Sequence, residues 1–189
     1  MKPAISLAIL LMLITGCSGV QDSQPTHTVS GVQELLLNNQ DLEQLGMISG
    51  GDEEQLGILE LTKDNSYCRT ESYNTSEYSS LEQYSTCSYT ITGLNDTHVI
   101  IELKKFTNLH DRDGSYQYES LHLRGLQGLI SEDDYGDMSR FYGNNESAIY
   151  YYHLWIGKNE YLIHITPKGS KEAKEYVENI GQLIMSKFG

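Results

Sequence analysis

The chain has 189 residues, of which 26 are Asp or Glu and 13 are Lys or Arg, so its formal net charge is −13 at pH 7. This length fits one domain of ordinary size with a substantial core, without metal clusters or many disulfides. The negative charge argues against DNA, RNA and anionic lipid head groups as partners, because all three are negatively charged themselves.

The first sixteen residues have the layout of a secretory signal. Lys2 precedes an apolar run from Ala4 to Ile14, and small residues follow it. A helix over this run would be about 16 Å long, which is too short for a hydrocarbon core of ~30 Å. We therefore predict a signal peptide over residues 1–16.

The signal ends in Ile14-Thr15-Gly16-Cys17, which resembles the lipobox of prokaryotic lipoproteins. In that family the cysteine thiol receives a diacylglyceryl group and becomes the N-terminus after cleavage. The resemblance implies lipidation at Cys17, with the protein held by its lipid on the extracytoplasmic side of a membrane in the cell envelope. Two acyl chains give stable attachment where one would be marginal. The alternative is a plain secretory signal in which Cys17 has no role.

A polar run, SGVQDSQPTHTVS, follows at residues 18–30 and contains Gly and Pro but no hydrophobic periodicity. Such a composition is typical of a flexible tether. We therefore divide the mature chain into a lipidated tether over residues 17–30 and a single extracytoplasmic domain over residues 31–189.

With Cys17 assigned to the lipid, Cys68 and Cys87 remain. An even pair in an exported domain favours a disulfide. The chain-entropy treatment gives a bridge of this span about 3 kcal/mol of stabilisation. A zinc or redox role is the alternative, but the pair has no CxxC spacing.

The segment after the tether predicts one short helix and one strand. Asn39 is positioned to cap a helix that carries Leu42 and Leu45 and stops at Gly46. After the turn at Gly50-Gly51, LGILELT at residues 56–62 has the alternation of a strand.

Two hairpins follow. Residues 86–92 and 97–106 are rich in β-branched side chains and flank a turn at residues 93–96. Residues 149–166, IYYYHLWIGKNEYLIHIT, contain two aromatic and β-branched runs joined by a turn at residues 157–159.

A C-terminal amphipathic helix is predicted after Ser170, which is placed as its cap, with Lys187 in the last turn. Its apolar side chains recur at three- and four-residue steps, as Ala173, Tyr176, Val177, Ile180, Leu183, Ile184 and Phe188. A second helix is predicted over residues 115–129, with Leu121, Leu126 and Leu129 facing inward.

These elements predict an α+β domain, with an antiparallel sheet of about five to six strands and helices packed on it, including the long C-terminal helix. The domain resembles PsbP-like and related lipoprotein sensor-type domains in ELLLNNQDL, in YGDMSRFY, and in the terminal strand and helix. This resemblance concerns the fold and implies no activity.

Three groups of side chains are candidate metal ligands. In NLHDRDGSYQYE, Asp111, Asp113 and Gly114 match part of a calcium loop, but two ligand positions are missing, and a solvated turn is the alternative. A hydrated loop is likewise the alternative for an acidic cluster made of Glu132, Asp133, Asp134 and Asp137. The third group is a histidine pair on the two strands of the last hairpin.

That pair is His153 and His164, which would form a metal pair only if they share a face of the sheet. A slip of one residue in register would move either of them to the opposite face. The sequence therefore leaves both arrangements open, the two histidines on one face or on opposite faces.

No motif of nucleophilic catalysis, zinc hydrolysis or phosphate binding is present. We assign no catalytic residue, no cofactor and no metal ligand, and we predict a non-enzymatic module that binds a protein or small-molecule ligand. The binding surface would combine the open face of the sheet with the tyrosines of the polar loop and the last hairpin: Tyr73, Tyr78, Tyr84 and Tyr150 to Tyr152. The alternatives are an envelope hydrolase and a metal-binding lipoprotein that uses the histidine pair or the carboxylates from Asp111 to Asp137.

Overall fold

The computed structural model describes residues 28–49, 67–74, 80–94, 97–122 and 128–189. Cys17, the signal peptide, most of the tether and the predicted strand at residues 56–62 lie outside these ranges. Their predictions therefore remain predictions.

Eight strands and three α-helices make up the described part of the chain. The strands are β1 (Met47–Ser49), β2 (Tyr67–Ser72), β3 (Leu81–Ile91), β4 (Thr97–Phe106), β5 (Leu129–Glu132), β6 (Met138–Glu146), β7 (Ile149–Lys158) and β8 (Tyr161–Gly169). The helices are α1 (Asn39–Leu45), α2 (Leu109–His122) and α3 (Ala173–Ser186), and a 3-10 turn covers Val32–Leu35. The α+β class and the C-terminal helix are confirmed.

The strands form one open antiparallel sheet in the order β1-β3-β4-β8-β7-β6-β5, and β2 also pairs with β3. Strands β1 and β2 lie end to end along the same edge of β3. β1 pairs with Tyr89 to Ile91, and β2 pairs with Gln83 to Ser88. The described sheet thus has more strands than the five to six predicted. Strands β1, β2, β5 and β6 were not predicted. The first three are short, and β6 contains Gly143 and two asparagines.

Helix α3 covers one face of the sheet and forms the main core with it. Five of its residues are buried, namely Ala173, Val177, Ile180, Gly181 and Ile184, while Tyr176 and Leu183 are partly buried against the same core. The predicted apolar stripe is therefore correct. The predicted cap is displaced, because the helix begins at Ala173 and Ser170 lies in the preceding turn, where its Oγ accepts the Glu172 N–H at 3.4 Å.

The N-cap of helix α1 lies one residue before its predicted position. Asn38, not Asn39, is the N-cap, and its side chain accepts the Gln40 and Asp41 N–H groups. Asp41 in turn accepts the Asn38 N–H at 2.9 Å, which completes a capping box. Gly46 ends the helix in the left-handed conformation with φ of 62°, as predicted.

Helix α2 covers part of the opposite face and lies six residues before its predicted position. Asn108 Oδ1 accepts the Asp111 N–H at 3.0 Å, which fixes the start of the helix. The inward residues are Arg112, Tyr116 and Ser120 rather than leucines. Of the predicted leucines, Leu129 is 51% exposed and begins β5.

The predicted pair Cys68 and Cys87 is joined as a disulfide. The two residues are direct partners in the register between β2 and β3. The polar segment between the cysteines is therefore not a long loop, since much of it belongs to these two strands.

Candidate functional site

A transverse row of cross-strand partners crosses the sheet on the face that carries α2. Thr86 on β3 pairs with Glu102 on β4, Glu102 pairs with His164 on β8, and His164 pairs with Trp155 on β7. Successive partners in such a row have adjacent side chains on one face of the sheet. The register therefore sets a carboxylate, an imidazole and an indole side by side.

Glu102 is the acceptor at the centre of this row. Its Oε2 lies 2.9 Å from His164 Nδ1, and its Oε1 accepts the Tyr84 hydroxyl at 2.7 Å. The hydrogen bond from His164 holds the pKa of Glu102 at about 2, against the effect of burial, which would raise it. Burial and the Glu102 carboxylate raise the pKa of Tyr84, so that its hydroxyl remains a donor.

His153 lies on the same face as His164, which resolves the register question left open by the sequence. His153 Nδ1 is 3.1 Å from His164 Nε2, and Thr166 Oγ1 is 2.9 Å from the same nitrogen. Burial, with the neighbouring His164, lowers the pKa of His153 to about 4. His153 is therefore neutral near pH 7.

The proton positions follow from these contacts. Because His164 Nδ1 faces a carboxylate, it carries the proton that it donates to Glu102. In the neutral ring, Nε2 of His164 then holds a lone pair, which faces His153 and Thr166. The Glu102 carboxylate thus sets the tautomer of the His164 ring, and the unprotonated Nε2 faces the pocket.

Trp155 closes one side of the row. Its ring stacks on His164 with centroids 4.4 Å apart and planes 7° apart, and on His153 with centroids 5.2 Å apart. The indole is buried in a small cluster beneath α2 with Phe106, Tyr116, Tyr142 and Leu162. Its N–H is buried without a hydrogen-bond partner among the described residues, so packing and stacking hold the ring.

Helix α2 forms a wall beside the row and is tied to the sheet by polar contacts. Lys104 on β4 pairs with Glu119 at 2.6 Å, and Arg140 on β6 donates to Ser120 Oγ at 2.8 Å. The helix leaves the part of this face over β2 and β3 uncovered. A pocket of about 570 Å³ opens there, lined by Arg69, Glu71, Tyr84, Thr86, Ile100, Glu102, His153, His164 and Thr166.

The pocket contains charges of both signs. Arg69 and Glu71 form an ion pair on β2, and more than half of the Arg69 side chain is exposed. The inner part contains the Glu102 carboxylate, two imidazoles and the hydroxyls of Tyr84 and Thr166. Such a lining can donate and accept hydrogen bonds at fixed positions.

The other predicted metal groups do not assemble. Asp111 and Asp113 lie in helix α2 with Gly114, so both the calcium loop and the solvated turn are wrong for this segment. Two residues apart on a helix, the aspartates point to different sides. Asp111 accepts from Asn108 at 2.9 Å, whereas Asp113 pairs with Arg112 at 2.6 Å.

The acidic cluster before β6 is divided among separate partners. Glu132 pairs with Arg140 at 2.8 Å, while Asp137 pairs with Lys158 at 3.0 Å and accepts the Asn159 N–H at 2.8 Å. Two carboxylates of the predicted cluster therefore act as ion-pair partners. In the described ranges, no group of three or more His, Cys, Asp and Glu side chains is placed to hold a metal ion.

The tyrosines have divided roles. Tyr84, predicted in a loop, lies on β3 and lines the pocket, whereas Tyr73 is 40% exposed at the end of β2 and Tyr78 lies outside the described residues. Tyr150 and Tyr152 line a different depression of about 440 Å³ near β5 and β6. Those tyrosines that the structure describes therefore do not form a single binding surface.

Sequence reasoning did not select Glu102, Thr166 or Trp155. Glu102 and His164 are 62 positions apart in the chain, and only the pairing of β4 with β8 brings them together. The alternation in β4 gave no signal for a site, because it puts Glu102 on the half-buried face of the strand, opposite the buried Val99, Ile101 and Leu103.

No protein-family model matches the chain, and no curated protein matches it. Among solved structures, the extracellular domain of PknH from Mycobacterium tuberculosis is similar over 84% of this chain and 98% of that chain, with a TM-score of 0.50 and 10% sequence identity. A GTP-binding regulator from Thermotoga maritima aligns over 67% of this chain and 82% of that chain, with a TM-score of 0.35 and 10% identity. The PknH likeness concerns the fold alone, and the second is too distant to support an argument.

None of the helices in the described ranges is both long enough and apolar enough to cross a membrane.

Proposed function

We propose that this chain is a lipid-anchored, extracytoplasmic binding module without enzymatic activity, which holds a small polar ligand in the pocket around Glu102 and His164. The observation that carries the proposal is the hydrogen-bonded row of Glu102, His164 and His153 at the base of an open pocket of about 570 Å³. This volume falls in the range of small-molecule sites.

The support for a binding role is the rigidity of the groups that line the pocket. Glu102 and His164 project from two strands that are each paired on both sides. Polar groups held on a sheet lose little freedom when a ligand binds, which favours affinity. A ligand with both donors and acceptors would match the carboxylate, imidazole and hydroxyl groups.

The support for an extracytoplasmic location comes from three observations. The disulfide between Cys68 and Cys87 favours an oxidising compartment. The lipobox at Ile14 to Cys17 implies export and lipidation. A solved structure with a similar fold is an extracellular domain.

The binding proposal is tested by NMR on the isotopically labelled full chain. Amino acids, sugars, nucleosides and short peptides serve as probes, and we expect at least one class to shift the amide resonances of Glu102, His153 and His164 together. His164→Gln should weaken that binding, while His110→Gln, at an exposed position on α2, should not. Shifts confined to the depression near β5, or none at all, would overturn the proposal.

The anchor is tested by intact mass and detergent partition of the chain expressed with its own N-terminus, beside a Cys17→Ala variant. We expect added diacylglyceryl mass and partition into detergent, with both lost in the variant. An unmodified product that stays in the aqueous phase in a lipoprotein-processing host would make this an ordinary secreted protein.

A second candidate function is hydrolysis, favoured by the arrangement of Glu102, His164 and Thr166. The carboxylate, imidazole and hydroxyl are spaced as in a catalytic triad. His164 Nδ1 lies 2.9 Å from Glu102 Oε2, and His164 Nε2 lies 2.9 Å from Thr166 Oγ1. It ranks below binding because β8 is paired on both sides, so its backbone N–H groups face neighbouring strands and not an oxyanion in the pocket. Labelling of Thr166 by a phosphonate ester, absent in His164→Gln, would favour hydrolysis.

A further inference from the structure

The two histidines of the pocket are spaced like two ligands of one metal ion. His153 Nδ1 and His164 Nε2 face each other at 3.1 Å. Two nitrogens bound to one tetrahedral Zn²⁺ at ~2.0–2.1 Å would be roughly 3.3 Å apart. The nitrogen–nitrogen distance therefore already fits a shared ion, and a rotation of the two rings would turn both nitrogens toward it.

Glu102 supplies the support that metal-bound histidines usually have. A histidine that binds a metal through one nitrogen donates the N–H of the other to a carboxylate or carbonyl, which fixes the ring and raises its basicity. Glu102 Oε2 lies 2.9 Å from His164 Nδ1 and leaves Nε2 facing His153. His153 would then carry its proton on Nε2, which leaves Nδ1 for the ion.

The pocket also provides room and favourable charge. It is open to solvent, so water can fill the coordination positions that the protein leaves vacant. Thr166 Oγ1 lies 2.9 Å from His164 Nε2 and could orient such a water. The net charge of −13 raises the local concentration of cations.

From this geometry we propose that His153 Nδ1 and His164 Nε2 together bind a divalent transition-metal ion that prefers imidazole ligands, Zn²⁺ or Cu²⁺, with water completing its shell. Glu102 is a positioning residue, because it acts through His164. This inference rests on the proposed function, since it names a ligand class for the same pocket.

The chain carries its own reporter for this site. Trp155 is the single tryptophan of the sequence, and its ring lies 4.4 Å from that of His164 and 5.2 Å from that of His153. A bound Cu²⁺ would quench its fluorescence at this range. Zn²⁺ binds imidazole sites more weakly than Cu²⁺, so a large excess of Zn²⁺ should restore the emission.

The experiment titrates the untagged full chain with Cu²⁺, followed by Trp155 fluorescence, and then competes with Zn²⁺. We expect saturable quenching with one ion per chain, and nitrogen couplings from two imidazoles in the Cu²⁺ electron paramagnetic resonance spectrum. His153→Gln and His164→Gln should abolish both signals. Glu102→Gln should weaken binding roughly 10- to 100-fold while keeping the two-nitrogen spectrum.

His110→Gln is the matched control, because His110 is exposed on α2 and should leave the titration unchanged. Circular dichroism and melting curves establish that each variant is folded. Quenching that is equal in all variants, or does not saturate, would overturn the metal site. If Cu²⁺ does not bind but a probe molecule shifts the pocket resonances, the binding function stands and the metal site is rejected. If neither Cu²⁺ nor any probe molecule binds, both proposals are rejected.

Discussion

Lys187, just after α3, places its Nζ 2.8 Å from Asp41 Oδ2 on α1 and 2.7 Å from the Leu36 carbonyl oxygen. The contact joins residues 146 positions apart, and both side chains are largely buried. Asp41 also closes the capping box around Asn38, so its carboxylate has two structural roles. The pair therefore attaches the start of the described domain to its last helix.

Removal of the Lys187 charge should destabilise the domain. Lys187→Met keeps the aliphatic stem but leaves Asp41 and the Leu36 carbonyl without this donor, and we expect a loss of about 2 kcal/mol in the free energy of unfolding. Urea denaturation provides the measurement. Lys171→Met, at an exposed position, should change stability by no more than about 0.5 kcal/mol. Equal effects of the two substitutions would contradict this role for Lys187.

His153 should make the stability of the domain depend on pH. Burial, with the neighbouring His164, lowers the pKa of folded His153 from 6.5 to about 4. Between these values the unfolded chain takes up a proton that the folded chain does not, so stability falls as the pH drops from about 6.5 to about 4. The total loss from this group is at most about 3 kcal/mol.

His153→Gln should therefore reduce the slope of unfolding free energy against pH in that window. Glu102→Gln should act at lower pH, because the pKa of Glu102 is lowered from 4.5 to about 2 by its hydrogen bond from His164. The stability that Glu102 contributes is present above about pH 4.5 and is lost as the pH falls toward 2. Chemical denaturation at a series of pH values separates the two windows, and an unchanged slope in His153→Gln would show that His153 is not the responsible group.

The disulfide should contribute measurably to stability. Cys68 and Cys87 are both buried, with 3% and 0% exposure, and the bridge closes a chain segment with a sequence separation of 19. The double variant Cys68→Ala, Cys87→Ala should have a free energy of unfolding about 3 kcal/mol lower, mostly because its unfolded chain is less constrained. Thermal melting with and without reductant checks this: reductant should lower the melting temperature of the parent and leave the variant unchanged.

The sequence predicted the elements whose signals are local. The stripe in α3 and the alternation in the β7–β8 hairpin both depend on spacings of a few residues, and both elements form. The hairpin turn, however, lies at Asn159 and Glu160 and not at residues 157–159, since β7 extends to Lys158. Strand β6 was missed because Gly143, Asn144 and Asn145 have poor strand propensity. Its pairing with β7 determines its conformation, and that pairing is not visible in the β6 sequence alone.

The candidate site was only partly predictable for the same reason. His153 and His164 were visible as a pair because a single hairpin carries them. Glu102 joins them through the β4–β8 pairing, a contact between distant segments that local patterns do not encode. The lipidation of Cys17 and the resemblance to PsbP-like domains stay predictions, since nothing in the described structure bears on them.

Two glycines should respond in opposite directions to alanine. Gly114 lies inside α2, and a Cβ there would meet no atom within 4 Å, so Gly114→Ala should add about 0.5–1 kcal/mol of stability through better helix propensity. Gly136 precedes β6 with φ of 61°, and a Cβ there would lie 2.6 Å from the Gly157 carbonyl oxygen. Because that contact is with backbone, Gly136→Ala must shift the turn that holds Asp137 against Lys158, and we expect a loss of about 2 kcal/mol. Denaturation of both variants beside the parent measures the two effects, and a tolerated Gly136→Ala would mean that this turn does not require a left-handed residue.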